Sequence, residues 1–291
     1  MVGYCLTMRP CGATSILPAI VVALVLCQPR TASAETTLDG AQRAFYNGRF
    51  AEAAELTREP CLSEPDGLAA CEVRTAALLF RIKRLIGRTE DKAKALKACQ
   101  ECPELMAAFR AAEVRGQTLA RERLRTHEDD EPTLFLLGKI DLNHVWLHLG
   151  TLGKKTGWDE YWEARRALDK VLKKNPGHVR ARVARAWIEY IVGTRMPRGT
   201  RWMLGGGNKN RGLRAVREAA ATDADLFVRA EALFALWEMQ VREADVSAAV
   251  TTARKLAQEF PENQELAKFI DANASRAGEA KLPIPKSQLP R

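Results

Sequence analysis

The chain has 291 residues, of which 46% are hydrophobic and 28% are charged. This balance is ordinary for a globular protein, and the length is sufficient to bury a sizeable core. The formal net charge is +9, but the excess of basic over acidic residues is concentrated in one stretch of the second half. This concentration excludes a uniformly basic coat and indicates a local basic patch instead.

The first 34 residues have the pattern of a secretory signal peptide. Arg9 precedes an apolar run at about residues 16–26, and Ala32-Ser33-Ala34 supplies the small residues that a signal peptidase requires. About eleven apolar residues are too few to span a bilayer, which needs roughly twenty. A retained anchor or lipidation at Cys27 is the alternative. We therefore expect export to the periplasm or the medium, with a mature chain that starts at Glu35.

The remaining chain is predicted to be all-α. Apolar residues recur at spacings of three and four, and no stretch alternates in the way that a half-buried strand requires. The predicted helices are a pair within 36–57, then 68–86, 90–99, 104–125, 133–149, 158–174, 179–192, 208–221, 226–241, 246–260 and 264–277. Loops are expected at 61–71 and at the acidic run 127–132. The helical domain would span residues 35–277, followed by a disordered, proline-containing tail at 278–291.

The chain contains a repeated pattern. Three alanines are each followed twelve residues later by a proline that ends a helical pattern, namely Ala53 and Pro65, Ala164 and Pro176, and Ala249 and Pro261. The first unit adds the turn Gly48-Arg49-Phe50, in which glycine lets the chain turn and the aromatic ring packs between two helices. In another unit, Leu137-Gly138 precedes Tyr161 and Ala164.

These motifs resemble those of the tetratricopeptide repeat. The resemblance covers three units; residues 68–126 keep the helical pattern without the motif, and the units near Lys154 and Met196 carry insertions. It implies an α-α superhelix of about five to six helix pairs whose concave face binds another polypeptide. Helical accessory components of some periplasmic solute transporters look similar, with a stack of this kind around a central pore.

Four cysteines remain after removal of the signal peptide, and an even number in an exported chain favours disulfides. Three pairings are open; we favour Cys61 with Cys71 and Cys99 with Cys102, because these pairs close short loops. The spacing of Cys99 and Cys102 also occurs in redox motifs. Here the motif follows a predicted helix, and a helix C-terminus raises the pKa of a thiol, so we expect a structural disulfide.

Residues 178–217 hold ten arginines and lysines and a single acid, Glu189. They surround a segment at residues 193–209, here called the connector, which joins two predicted helices and contains three consecutive glycines. Asn208 is a good N-cap for the second helix, and a helix N-terminus beside arginines can bind an anion. The Gly-Lys-Ser/Thr ending of a nucleotide-binding loop is absent. The candidate partner-binding residues are Arg195, Arg198, Arg201, Trp202, Lys209 and Arg211.

Alternatives remain open for the connector: a tucked structural loop in which Trp202 fills a groove, a contact with a membrane surface, or a site for a small anion. We expect a protein or peptide partner, and the basic connector favours an acidic one. Nucleic acid is not expected outside the cytoplasm, and any membrane contact would be peripheral.

Asp141, His144 and His148 could share one helix face, and two histidines four residues apart can bind a divalent metal. The glutamate of a catalytic His-Glu-x-x-His motif is missing, so we interpret this face as helix packing and keep metal binding only as a weak candidate. No catalytic arrangement and no cofactor are predicted. The sequence therefore favours a non-catalytic, exported scaffold or adaptor for protein–protein interactions.

The alternative is a periplasmic small-ligand-binding component of a solute transporter. In that case the face of Asp141, His144 and His148 would line a cavity, together with the half of the chain, residues 146–237, that holds all six tryptophans.

Overall fold

The computed structural model describes residues 31–274, apart from residues 64, 66, 88, 155 and 156. The apolar run of the predicted signal peptide and the predicted tail at 278–291 lie outside the described residues. No helix in the described part is both long and apolar enough to cross a membrane.

The described chain is all-α, as predicted, and contains no strand. The helices are α1 (Thr31–Tyr46), α2 (Phe50–Leu56), α3 (Arg58–Ser63), α4 (Leu68–Ile86), α5 (Lys92–Ala98), α6 (Cys102–Thr126), α7 (Glu131–Val145), α8 (Trp158–Lys174), α9 (Val179–Arg195), α10 (Lys209–Ala220), α11 (Leu226–Arg242), α12 (Val246–Glu259) and α13 (Gln264–Asn273). A π-helical segment, Trp146–Thr151, extends α7, and a 3₁₀ helix, Arg198–Leu204, lies within the connector.

The helices pack as successive pairs, α1 with α2, α4 with α6, α7 with α8, α9 with α10, and α11 with α12, and α13 packs on α12. The three alanines of the repeated pattern, Ala53, Ala164 and Ala249, lie on the second helix of a pair and have no exposed surface. A Cβ atom at Gly138 would lie 3.3 Å from the carbonyl oxygen of Ala164. Small residues therefore set the close approach of α7 and α8, as the sequence pattern predicted.

The predicted loop at 61–71 is partly helical. Cys61 lies in α3 and is disulfide-bonded to Cys71 in α4, with the two Cα atoms 4.6 Å apart. The bond and the complete burial of both cysteines hold the short α3 against α4. A short helix needs such support, because isolated helices of this length are unstable in water.

The second disulfide joins Cys99 to Cys102, so the structure contains the pairing that we favoured. We expected both cysteines of this pair to lie after the end of a helix, and this is correct for Cys99 only. Cys99 follows α5, but Cys102 is the first residue of α6, where the helix dipole favours a thiolate. Cys102 has no exposed surface. Both disulfides suit an oxidising, extracytoplasmic setting.

The last helices return to the first pair, so the stack closes on itself. The ring of Tyr46 stacks on Phe234 in α11, with centroids 5.5 Å apart. The carbonyl oxygen of Tyr46 accepts a hydrogen bond of 2.7 Å from the side-chain amide of Asn263. The side chain of Asn47 accepts one from the backbone N–H of Glu262 at 3.2 Å. These contacts join the α1–α2 turn to the α12–α13 turn.

The interior of this closed stack contains four paired charges, here called the ionic cluster, contributed by α4, α7, α9 and α11: Glu72, Lys139, Arg180 and Glu231. Glu231 accepts hydrogen bonds of 2.5 Å from both Lys139 and Arg180. Arg180 also lies 3.3 Å from the carboxylate of Glu72, which is 4% exposed. The inner face that we expected to be an open groove is therefore occupied by the side chains of the protein itself.

The cluster changes the ionisation of its members. Burial alone would raise the pKa of Glu231, but the charges of Arg180 and Lys139 outweigh burial and lower it to about 2. Arg180 also lies over the ring of Phe135, 4.8 Å from its centroid, a cation–π contact that strengthens when water is excluded.

We predict that Ala164→Leu destabilises the protein by roughly 1–3 kcal/mol, because the added atoms have no room between α7 and α8. Chemical denaturation measures the effect. Lys170→Leu, at an exposed position of the same helix, should change the free energy of unfolding by less than about 0.5 kcal/mol. Equal effects of the two substitutions would contradict the packing described here.

We also predict that Glu231→Gln lowers stability at pH 7 by about 3 kcal/mol, because it leaves buried cations without a full counter-charge. The unfolded glutamate ionises near a pKa of about 4.3, above the folded value of about 2. The stability that this carboxylate contributes is therefore present above roughly pH 5 and is lost as the pH falls towards 2.

Unfolding curves at pH 7, 4 and 3 should therefore converge for wild type and Glu231→Gln as the solution becomes more acidic. The control is Glu265→Gln, which removes a surface ion pair with Arg84 and should cost less than about 1 kcal/mol at pH 7. A difference in the free energy of unfolding between wild type and Glu231→Gln that stays the same at all three pH values would contradict the lowered pKa of Glu231.

Candidate functional site

The connector begins inside α9 and ends at the first residue of α10. Residues that precede proline avoid the helical region, and Met196, before Pro197, is extended with φ −94° and ψ 137°. The 3₁₀ helix follows, and Gly205 and Gly206 then take positive φ angles of 71° and 79°, which glycine adopts without strain. The side chain of Asn208 accepts a hydrogen bond from the N–H of Arg211 at 3.0 Å, as expected of an N-cap.

The connector is fixed at both ends. The guanidinium of Arg201 donates to the carbonyl oxygens of Gly193 at 2.6 Å and Met196 at 3.0 Å, so it caps the C-terminus of α9. At the other end, the carbonyl oxygen of Leu204 accepts hydrogen bonds from Tyr161 at 2.8 Å and Arg165 at 3.0 Å. The segment between these two sets of hydrogen bonds is therefore held against the helices.

Leu204, and not Trp202, fills the groove beneath the connector. Leu204 is 8% exposed, whereas Trp202 is 75% and Met203 57% exposed. The alternative in which Trp202 fills the groove is therefore wrong. The 3₁₀ helix has three residues per turn, so three consecutive side chains point in three directions and only one of them can face the core. Arg165, which binds the connector, also lies 5.9 Å from the ring centroid of Trp162.

Three glycines bring the backbones of α9 and α10 together. A Cβ atom at Gly193 would lie 2.5 Å from the backbone nitrogen of Lys209, and one at Gly207 would lie 2.6 Å from Val192. A Cβ atom at Gly212 would lie 2.7 Å from a carbonyl oxygen of α9. The glycines therefore permit close helix packing, which explains part of the glycine-rich sequence without a bound anion.

The N-terminus of α10 is already occupied by a carboxylate of the protein. Glu189 accepts a hydrogen bond from the backbone N–H of Asn208 at 3.0 Å and another from Arg211 at 2.6 Å. Glu189 is buried, whereas the side chain of Arg211 is 60% exposed, so solvent reaches one side of this ion pair. The predicted anion site at this helix terminus nevertheless holds the protein's own side chain.

A cavity of about 670 Å³, here called the basic pocket, lies between α9, the connector, α10 and the end of α11. It is lined by Tyr190, Gly193, Thr194, Arg195, Arg198, Arg201, Gly207, Asn208, Lys209, Asn210, Arg242 and Glu243. The lining has five cationic side chains and one carboxylate, so the pocket should attract anions.

Two of the five cations are unpaired. Lys209 donates to Glu243 at 2.6 Å, Arg242 pairs with Glu238 at 2.6 Å, and Arg201 caps α9. The side chains of Arg195 and Arg198 are exposed and make no hydrogen bond or ion pair with any residue in the described part of the chain. They are the cations of the pocket that can bind a ligand without breaking an existing contact.

The single carboxylate of the pocket is held in place from two sides. Besides Lys209, the hydroxyl of Tyr190 donates to Glu243 at 2.9 Å. Burial, and then this hydrogen bond to the glutamate, raise the pKa of Tyr190. Glu243 therefore compensates part of the positive charge of the pocket in the free protein.

The basic side of the pocket was predictable from the sequence, and the other side was not. Of the predicted residues, Arg195, Arg198, Arg201 and Lys209 line the pocket, whereas Trp202 and Arg211 do not. The unpredicted side is formed by Arg242, the last residue of α11, and by Glu243, which follows it. These two residues are far from the connector in sequence, and no local pattern marks them as neighbours of it.

The face of Asp141, His144 and His148 lies elsewhere and does not line the pocket. Asp141 is fully buried and accepts a hydrogen bond of 2.8 Å from Gln117. His144 is hydrogen-bonded to Glu113 and stacks on His148 with ring centroids 4.3 Å apart. In the described part of the chain, no group of three or more potential ligands is arranged to hold a metal ion. The geometry therefore gives the weak metal candidate no support.

Burial, aided by the negative charge of Glu163, raises the pKa of Asp141 to about 8. Burial opposes protonation of His144, but its hydrogen bond to Glu113 and the negative charges of Glu113 and Glu160 together outweigh burial and raise the pKa. The pKa of His148 is lowered by burial and by the neighbouring imidazole of His144. Asp141 is thus a carboxyl group that the folded protein holds largely protonated near neutral pH.

Comparisons with protein-family models, with curated proteins and with solved structures find no match to this chain. The basic pocket and its surroundings are therefore the features that point to a function, through their geometry and charge.

We predict that Asp141→Asn stabilises the protein at pH 8 by about 2 kcal/mol or more. The unfolded aspartate has a pKa of about 3.9 and the folded one about 8. As the pH rises between these values, the group ionises in the unfolded chain but stays protonated in the folded one, which favours unfolding. Asparagine cannot ionise and can still accept the hydrogen bond from Gln117. Denaturation at pH 4, 6 and 8 measures the free energy of unfolding, and the excess of Asp141→Asn over wild type should grow with pH. An excess that does not change with pH would contradict the prediction.

Proposed function

We propose that this is a non-catalytic, exported binding protein that recognises an acidic polypeptide through the connector and the basic pocket. The observation that carries the proposal is the exposure of Trp202 and Met203 on the segment that also presents the unpaired Arg195 and Arg198. Tryptophan, methionine and arginine are enriched at protein interfaces, and tryptophan and arginine dominate their binding energy.

The anchoring of the connector supports this proposal. Arg201 and Leu204 flank Trp202 and Met203 in sequence and make the contacts that fix the segment. A side chain that is presented by a rigid backbone loses less conformational entropy on binding than one on a flexible loop. The apolar side chains are exposed although the segment is held, which is typical of an interaction surface.

The resemblance to tetratricopeptide repeats and the predicted signal peptide also support it. Proteins of that family bind polypeptides, and the buried alanines at the repeat positions are consistent with the resemblance. The usual concave groove of such repeats does not serve the proposal, since the ionic cluster fills the interior. We therefore place the partner on the connector, at the outside of the α9–α10 pair.

One observation favours a second candidate function, the binding of a small anionic molecule. The volume of the basic pocket, about 670 Å³, falls in the range of small-ligand sites, about 300–1,000 Å³. The transporter-like hypothesis, however, expected Trp202 and His144 in the same cavity, and neither residue lines this pocket. The polypeptide proposal also accounts for the exposed apolar side chains, so we prefer it.

Affinity capture from the exported fraction tests the proposal. We predict that the double variant Arg195→Ser/Arg198→Ser binds the captured partner about tenfold or more weakly than wild type. Arg214→Ser/Arg217→Ser is the matched control: it removes the same charge from exposed positions of α10 that do not line the pocket. An equal loss of affinity for the partner in both double variants would indicate non-specific charge attraction and would contradict the proposal.

Trp202→Ala is a second variant for the same assay. We predict weaker binding by about 2 kcal/mol with an unchanged unfolding transition, because the side chain is 75% exposed in the free protein. If Trp202→Ala binds the partner as tightly as wild type does, the exposed side chain does not contribute to binding and the proposal is contradicted.

A further inference from the structure

The region around the connector binds carboxylates of the protein itself in two places. Glu189 is held by the N-terminus of α10 and by Arg211, and Glu243 is held by Lys209 and Tyr190. Both sites combine a cation with a second hydrogen-bond donor, which is the arrangement that recognises a planar carboxylate. They differ in exposure, because Glu189 is buried whereas Glu243 and Lys209 line the open basic pocket.

We propose that the basic pocket binds two carboxylates of an acidic segment, one on Arg195 and Arg198 and the other in the place that Glu243 occupies on Lys209. This inference rests on the proposed function, since it names the chemistry of the partner at the same site. Glu243 is then an internal competitor of the ligand, which occupies Lys209 in the free protein and yields it on binding.

The charges of the pocket support this exchange. Lys209 and Glu243 are both partly exposed, with side-chain exposures of 42% and 25%, and an ion pair that solvent reaches contributes little to stability. Replacing Glu243 on Lys209 by another carboxylate therefore costs little. The favourable free energy of binding comes from Arg195 and Arg198, which have no counter-ion in the described part of the chain.

The same geometry favours carboxylate over phosphate. Glu243 remains in or beside the pocket after exchange, and its charge repels a doubly charged phosphate more strongly than a single carboxylate. Guanidinium groups bind carboxylates through two parallel hydrogen bonds, and those of Arg195 and Arg198 have no partner among the residues that the structure describes. A segment with adjacent acidic residues can supply the two carboxylates within the span of one pocket.

Titration of the complete mature protein with a fluorescein-labelled peptide of six glutamates, followed by anisotropy at low salt, tests the inference. A peptide of six glutamines is the isosteric control. We expect glutamate to bind about tenfold or more tightly than glutamine, and Arg195→Ser/Arg198→Ser to reduce the glutamate affinity about tenfold. Glu243→Gln should strengthen binding about threefold or more, because it removes the competing charge and keeps an acceptor for Tyr190.

Equal affinity for the two peptides in wild type would overturn the inference without reference to any variant. Unchanged or weaker binding by a folded Glu243→Gln protein would overturn it as well. Citrate and inorganic phosphate serve as competitors. Displacement of the peptide by phosphate at lower concentration than by citrate would refute the preference for carboxylates.

The same experiment separates this inference from the proposed function. If citrate binds with the expected dependence on Arg195, Arg198 and Glu243 but the glutamate peptide does not, the pocket is a carboxylate site and the polypeptide proposal fails. If neither citrate nor the peptide binds, the inference fails, while a partner captured through Trp202 would still support the proposed function.

Discussion

Arg180 is the charge on which the closed stack depends. Its guanidinium lies between the carboxylates of Glu72 and Glu231, on helices from the first and last parts of the chain, and over the ring of Phe135. An arginine buried there without both carboxylates would be strongly unfavourable. The helices that contribute these side chains must therefore assemble together, and closure of the stack is an electrostatic requirement as well as a consequence of apolar packing.

Two helices connect this interior to the basic pocket. Arg180 and Glu231 lie in the N-terminal halves of α9 and α11, whereas Arg195 is the last residue of α9 and Glu243 directly follows α11. The ionic cluster fixes one end of each helix, and the backbone contact at Gly193 fixes α9 against α10. The relative position of the cations and the carboxylate in the pocket is thus set by packing elsewhere, so the pocket is preorganised for the carboxylates that we propose it binds.

Features that depend on residues close in sequence were predictable, whereas features that depend on distant residues were not. The bounds of α4 and α8 were predicted correctly because helical periodicity and helix ends, such as Gly87 and Asn175-Pro176, are local features. The exposure of Trp202 was not predictable, since it depends on which of three neighbouring side chains Tyr161 and Arg165 allow to reach the core. The basic residues of the pocket were predictable as one segment, but Glu243 joins them only through closure of the stack, which no local pattern reveals.

Closure of the stack also has a consequence for the order of folding. The hydrogen bond between Asn263 and Tyr46 spans 217 residues of sequence, and contacts of such range form late because a long loop must close first. While the chain is being synthesised, the aromatic side chains of the α1–α2 pair stay uncovered until α11–α13 have formed. During that interval the N-terminal part presents apolar surface that a folding chaperone would have to shield from aggregation.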